Sequence, residues 1–334
     1  MRIAINGFGR IGRIAYRSLM RRGGDMDLVA VNDLTDAATL AHLLRYDSVH
    51  GRLQAEVRAE DGSIRVGEDT FQVLSERDPS KLPWKELEVD VVIESTGLFR
   101  DRDQAAKHLS AGARKVVISA PGKSSDITVV LGVNEDHIES GHDVISNASC
   151  TTNCVTPVAK VIYESFGWVH GIMTTTHAYT ASQHLLDGPD KDLRRARAGA
   201  LSMIPTSTGA ARAAAMVMPQ LEGKIDGTAI RVPTPDVSLV DLTIEVEKAT
   251  DVEGVNQAFR EASRGRLNGV LAVSDEPLVS VDYISTTESA TVDALSTMVV
   301  DGTLVKVFAW YDNEMGYATR LIDLAEYLGR FLQP

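Results

Sequence analysis

The sequence predicts an α/β chain: a doubly wound parallel sheet of the Rossmann type, followed by a second α+β domain with a mostly antiparallel sheet. Three observations carry this. Strand and helix patterns alternate through the first 149 residues, a glycine-rich turn follows the first strand, and after residue 150 the texture shifts to longer stretches of period two.

"RIAIN" (2–6) is a short apolar strand, a helix pattern runs from Ile11 to Arg22, and "DLVAVND" (27–33) followed by "TDAATLAHLLRYD" (35–47) repeats the alternation. "VDVVIEST" (89–96), "KVVISAP" (115–121) and "DVISNAS" (143–149) are further strands, with helical material over 103–112. They are apolar on both faces, as a sheet covered on both sides requires. "TAIRVPTPDVSLVDLTIEVE" (228–247) and "GTLVKVFAWYD" (302–312) carry period-two stretches suited to antiparallel strands with one open face. Leu321, Leu324, Ala325 and Leu328 recur at helical spacing, so the chain closes in an amphipathic helix. The expected division is a dinucleotide-binding domain over 1–149, a second domain over 150–314, and a C-terminal helix, 315–334, packing back on the first.

At 334 residues the chain is long enough for two cores. It lacks a run approaching the roughly 20 apolar residues of a membrane helix, and its first residues lack the apolar region of a secretory signal, so a cytoplasmic protein with no membrane partner is expected. The formal charge of −12 argues against nucleic acid as the main partner. An anionic ligand would need a local basic cluster such as "KDLRRAR" (191–197).

"INGFGRIG" supplies GxGxxG as Gly7, Gly9 and Gly12, after a strand and opening a helix. The three glycines serve a tight turn, close approach to a pyrophosphate, and close packing of helix on strand. Asp33 ends the second strand, about 20 residues on, where a carboxylate accepts from the ribose hydroxyls of NAD and repels the 2′-phosphate of NADP. Leu34 adds no charge to offset that repulsion.

"NASCTTNC" holds the only two cysteines, Cys150 and Cys154. Cys150 lies at a predicted helix N-terminus, where a thiolate gains stability, and Pro157 falls in the early part of that helix. Cys154 lies a turn deeper. A metal site would need two more ligands, and no CxxC or HxxxH spacing accompanies the pair, so none is expected. A redox couple is open to side chains four apart on a helix, although CxxC is the usual spacing. The third reading makes Cys150 a nucleophile with His177, at the end of the apolar run 171–176, as its base.

"INGFGRIGR", "SNASCTTNC", "HAYT", "PTSTGAA", "RVPTPDVSLVDL" and "WYDNEMGY", in register from residue 2 to about 330, together resemble the phosphorylating glyceraldehyde-3-phosphate dehydrogenases. That resemblance implies oxidation of glyceraldehyde 3-phosphate with inorganic phosphate and NAD, through a hemithioacetal and a thioester on Cys150, with His177 as base and, as imidazolium, lowering the thiol pKa. It implies a homotetramer in which the loop around 179–201 packs between subunits. Thr180 and Arg231 would hold the substrate phosphate; Ser149, Thr151, Thr208, Gly209 and Arg195 would form or adjoin the inorganic phosphate site. For NAD it implies Arg10 and Ile11 at the pyrophosphate, Asp33 at the ribose, Arg77 near the adenine, Ser119 toward the nicotinamide, Asn313 on its carboxamide, and Tyr317 lining the ring. Met173 and Met315 read as packing residues. Gly188 before Pro189, where many NAD-specific members carry Leu, and "ASQ" (181–183) depart from the family pattern, which leaves NADP as a weaker alternative cofactor. Alternative functions are erythrose-4-phosphate dehydrogenase, a relative with the same GxGxxG and Cys/His pair, and a non-catalytic NAD-binding or redox-sensing protein.

Overall fold

A computed structural model describes residues 1–332. The last two residues of the expected helix 315–334 lie outside the described residues. The chain divides into two compact units, one of Met1–Val129, Asp136–Ala148 and the chain from Ala318 onward, the other of Val130–Glu135 and Ser149–Tyr317.

In the first unit the elements run β1 (Arg2–Asn6), α1 (Arg10–Arg22), β2 (Asp27–Asn32), α2 (Ala37–Arg45), β3 (Val57–Glu60), β4 (Ser63–Val66), β5 (Asp69–Leu74), β6 (Val91–Glu94), α3 (Arg102–Ala105), α4 (Lys107–Ser110), β7 (Lys115–Ile118), β8 (Ile127–Thr128) and β9 (Val144–Ser146). They build one nine-stranded sheet in the order β3-β4-β5-β2-β1-β6-β7-β9-β8. Every pairing from β5 to β8 is parallel, whereas β3-β4-β5 is an antiparallel edge. The order reverses direction at β1, the topological switch point where ligands bind doubly wound sheets. β6 and β7 are buried along their whole length, the signature of strands covered on both faces.

Gly12 lets α1 lie close on β1: a Cβ there would sit 2.3 Å from the Gly7 carbonyl oxygen and 3.1 Å from Ile5 Cγ2. Gly7 has a φ of +89°, open to glycine without steric cost. Arg22, in the last turn of α1, pairs with Asp323 and Glu326 of the C-terminal segment.

The second unit runs α5 (Cys150–Phe166), β10 (His170–Ala178), β11 (Ile204–Ser207), α6 (Ala210–Val217), β12 (Ile225–Val232), β13 (Ser238–Glu245), α7 (Val252–Arg264), β14 (Leu271–Ser274), β15 (Ala290–Asp293), β16 (Met298–Val300) and β17 (Leu304–Tyr311). Its eight-stranded sheet has the order β11-β12-β10-β13-β17-β15-β14, with β16 also on β17. Most pairs are antiparallel, but β10 with β12 and β14 with β15 are parallel. β13 and β17 alternate buried and half-buried residues over much of their length, as period two requires. Met173 is fully buried in β10. Residues 130–135, expected with the first domain, group with this unit because Lys160 of α5 donates to the carbonyls of Gly132 and Val133. Pro157 falls in the interior of α5 rather than its early part.

The final helix, α8 (Met315–Leu328), begins in the second unit and continues in the first, where Leu321, Leu324, Ala325 and Leu328 are fully buried. Met315 is buried at its start. No helix among the described residues is long and apolar enough to cross a membrane.

Gly12→Ala is expected to destabilise the protein by about 1–3 kcal/mol, because backbone rather than a movable side chain occupies the space of the new methyl. A Cβ on Gly9 would meet nothing within 4 Å, so Gly9→Ala should shift Tm far less. Thermal unfolding of the two variants checks this, and equal shifts would refute the close-packing role of Gly12.

Candidate active site

In the first unit a cleft of about 370 Å³ opens at the switch point, bordered among others by Gly7, Gly9, Asp33, Leu34, Arg77 and Thr96. Buried amides brace its floor: Asn32 donates to Asn6 Oδ1 at 2.7 Å, and Asn6 Nδ2 donates to Glu94. Asp33 is held in place by the N–H groups of Phe8 and Thr35, at 2.9 and 3.0 Å. Ionised, it retains acceptor capacity toward the cleft.

These residues fit NAD. The open space over Gly9 leaves its backbone free for a pyrophosphate to approach, at the N-terminus of α1 where unpaired N–H groups favour an anion. Arg77 and Asp33 border the same cleft. Arg10 begins α1 but is paired at 2.6 Å with Asp47, so its charge is already compensated. Ile11 is half-buried in the first helical turn. Ser119 follows β7, is half-buried, and donates its N–H to the Glu94 carbonyl.

In the second unit Ser149 caps α5, its Oγ accepting from the Thr152 N–H at 3.1 Å and meeting Thr152 Oγ1 at 2.7 Å. Ala148 before it has a φ of +53°, a conformation uncommon outside glycine, at the sharp turn from β9 into the helix. Cys150 is the first helical residue, and its Sγ lies 3.5 Å from Nε2 of His177. Cys154 is fully buried against β17, its Sγ 3.8 Å from the Ala309 carbonyl. Both thiols are free.

His177 sits in the penultimate position of β10, and the parallel register sets Arg231 of β12 opposite it. Arg231 Nη1 lies 2.7 Å from His177 Nδ1 and donates to the Ala178 carbonyl at 2.8 Å; that carbonyl is itself 2.7 Å from Nδ1. Nδ1 thus accepts from Arg231 or donates to Ala178, one tautomer for each. Tyr311, which sequence reasoning passed over although "WYDNEMGY" contains it, packs its ring edge-on to His177 at 6.0 Å. Its hydroxyl lies 2.9 Å from both Thr151 Oγ1 and Thr175 Oγ1.

Burial pushes the Cys150 thiol up from its ordinary range, with the Arg231 cation opposing that shift. Burial, and then Arg231, push the His177 imidazole down to about 3. The imidazolium expected from sequence is therefore not favoured here: a buried ring beside a cation stays neutral. Burial also lowers the pKa of Arg231, and the neighbouring Arg195 cation acts in the same direction.

The remaining residues lie in the same unit. Arg195 donates to Ser182 Oγ at 3.1 Å, and that oxygen is 2.9 Å from Thr180 Oγ1, so Ser182 joins two expected anion-binding residues. Thr208 Oγ1 accepts from the Ala210 N–H, and Gly209 caps α6 without a side chain. Thr151 is buried with its hydroxyl on Tyr311, so it offers an outside anion only its backbone. Asn313 follows β17 and accepts from Ser238 Oγ; Tyr317 is buried in the first turn of α8.

Residues 1–102 match the family model for the glyceraldehyde 3-phosphate dehydrogenase NAD binding domain, and residues 149–313 match that for the glyceraldehyde 3-phosphate dehydrogenase C-terminal domain. The chain is 59% identical over 329 residues to glyceraldehyde-3-phosphate dehydrogenase of Geobacillus stearothermophilus, covering 98% of each chain. It is 56% identical over 328 residues to glyceraldehyde-3-phosphate dehydrogenase 1 of Bacillus cereus, again covering 98% of each. Against glyceraldehyde-3-phosphate dehydrogenase 2 of Streptomyces avermitilis the figure is 54% over 333 residues, 99% of each. Neither the erythrose-4-phosphate reading nor the non-catalytic one gains support from these relatives. With both halves matched and identity above one half along nearly its whole length, the chain belongs to the glyceraldehyde-3-phosphate dehydrogenase family and is an NAD-dependent dehydrogenase.

Proposed function

We propose that the chain oxidises D-glyceraldehyde 3-phosphate with NAD and inorganic phosphate to 1,3-bisphosphoglycerate, in glycolysis and gluconeogenesis, with the first unit as NAD-binding domain and the second as catalytic domain. The observation that carries this reading is a thiol at a helix N-terminus, 3.5 Å from an imidazole whose far nitrogen faces an arginine.

Attack of Cys150 Sγ on the aldehyde carbon forms the C–S bond of a hemithioacetal, and the sulfur must lose its proton. His177 Nε2 is the base within reach. In the tautomer whose Nδ1–H donates to the Ala178 carbonyl, Nε2 keeps its lone pair for that proton. The oxygen of the former aldehyde gains charge as sulfur adds, and the Cys150 N–H at the start of α5 with the His177 ring stabilises it. His177 returns the thiol's proton to that oxygen, and takes it back as NAD, when bound, accepts the hydride that turns the hemithioacetal into a thioester. Inorganic phosphate then attacks the thioester carbonyl and displaces the Cys150 thiolate.

Thr180 and Arg231 hold the substrate phosphate in this reading. Ser149, Thr208, Gly209 and Arg195, with the backbone of Thr151, receive inorganic phosphate. A phosphate beside Arg231 offsets the smaller of the two influences that hold His177 neutral; burial, the larger, remains, so protonation of the ring becomes less unfavourable once substrate is bound. For NAD, Gly7, Gly9 and Gly12 shape the cradle, Arg10 and Ile11 adjoin the pyrophosphate, Asp33 takes the ribose, Arg77 the adenine, and Ser119, Asn313 and Tyr317 the nicotinamide.

We also infer a cytoplasmic homotetramer. Leu185, Leu186, Leu193, Leu201 and Met203 are each at least 74% exposed within or next to the 179–201 loop, apolar surface suited to burial between subunits. Sedimentation should give the mass of four chains, and a monomer would refute the assembly.

The reaction is tested by initial rates with glyceraldehyde 3-phosphate, phosphate and NAD: reduction of NAD should require both other substrates over many turnovers. A marked preference for erythrose 4-phosphate with no effect of phosphate would overturn the reading. Cys150→Ser should abolish turnover and leave NAD binding intact, whereas Cys154→Ser should retain substantial activity; equal loss from both would refute the division of roles. Asp33→Ala should raise the ratio of kcat/KM for NADP to that for NAD, because it removes a like charge from the 2′-phosphate; an unchanged ratio would count against Asp33 as the selecting group.

A further inference from the structure

Ser238, the first residue of β13, occupies a position to which no role has been attached. It is 2% exposed, and its hydroxyl stands between two segments of the proposed site. Oγ accepts from the Ala178 N–H at 3.1 Å, the peptide that follows His177. Its own proton goes to Asn313 Oδ1 at 2.7 Å.

That bond fixes which way the Asn313 amide faces. A serine hydroxyl has one proton to give and two lone pairs to receive with. The Ala178 N–H already takes one lone pair, so the proton needs an acceptor in a place closed to water. Turning the amide round would present its NH₂ to Ser238 and leave the serine proton without that acceptor, at the cost of a buried unsatisfied donor. The Asn313 oxygen therefore belongs to Ser238, and its NH₂ is the free end.

The backbone holds Ser238 rigidly. Val237 before it is 2% exposed with a φ of +63°, a strained conformation for a β-branched residue. The antiparallel register pairs Ser238 with Tyr311, two residues before Asn313. Such strain persists only where the surroundings determine it, and here it delivers one hydroxyl to the gap between Ala178 and Asn313.

We propose that Ser238 is a positioning residue for the cofactor: it locks Asn313 with its NH₂ outward, so that the site selects a carbonyl oxygen acceptor such as that of the nicotinamide carboxamide. This rests on the reading that Asn313 meets the carboxamide. Ser238 also ties that amide to the end of the strand that carries the base, so the carboxamide and His177 share one frame.

The test separates nicotinamide recognition from binding of the rest of the dinucleotide. Calorimetry on the full-length enzyme would measure the affinities of NAD and of ADP-ribose, which lacks the nicotinamide. Ser238→Ala is expected to weaken NAD by about three- to tenfold, the size of one lost hydrogen bond, and to leave ADP-ribose unchanged. Ser238→Thr, which keeps the hydroxyl, should restore the NAD preference. Equal weakening of both ligands, or of neither, would overturn the proposal. Asn313→Ala is the control: if it removes the NAD preference and Ser238→Ala does not, the proposal alone fails. If Asn313→Ala leaves the preference intact, the reading of Asn313 fails and the proposal with it. Should Ser238→Ala fold poorly, Ser238→Cys retains the shape with a much weaker donor, and the same loss of NAD preference is expected at unchanged Tm.

Discussion

One buried hydroxyl ties together the two segments that carry Cys150 and His177. Tyr311 OH bridges Thr151, the residue after Cys150 on α5, and Thr175, two residues before His177 on β10. It joins segments 136 and 160 residues away in sequence, next to the residues whose thiol and imidazole lie 3.5 Å apart. All three groups are buried, so each hydrogen bond they failed to make would carry the full desolvation penalty, which makes the arrangement hard to distort. Burial also holds the phenol well above its ordinary pKa, so the bridge stays uncharged across the working pH range.

The same burial defines the chemistry of the pair it positions. Desolvation opposes a lone thiolate at the half-buried Cys150 and a lone imidazolium at the buried His177, and both move toward their neutral forms. Arg231 acts in opposite senses on the two: its charge favours the thiolate and disfavours the imidazolium. An anion beside Arg231 would weaken both influences. In the proposed reaction, substrate charge and proton transfer would thereby be coupled through one guanidinium.

The features legible in the sequence are those encoded within a few residues of one another. GxGxxG with Asp33 was readable because strand, turn and helix are contiguous, and the close packing at Gly12 is the physical counterpart of that spacing. Cys150 was readable because a strand followed by a helix places it at the N-terminus, where Ser149 caps it. Tyr311 and Ser238 were not, because each acts through a hydroxyl bonded to distant segments, and a single Tyr or Ser in a strand carries no local mark of that. The strands β3, β4 and β5 are not legible because they are short and partly exposed. The charge states of Cys150 and His177 are not legible for a related reason: spacing points to their proximity, but the burial that shifts both is a property of the whole fold.

Strand direction explains why so many of these groups meet at one end of the second sheet. β10 and β12 run parallel, so His177 and Arg231 emerge together from their C-terminal ends. β13 runs antiparallel to β10, which brings its first residue, Ser238, to that same end. β17 is antiparallel to β13, so it finishes there with Tyr311 and passes directly into Asn313. A purely antiparallel β10–β12 pair would have carried Arg231 to the far end, roughly 25 Å away for a strand of eight residues. The one parallel pair in the middle of a largely antiparallel sheet is thus what allows an arginine to share the end of the sheet with the histidine it faces.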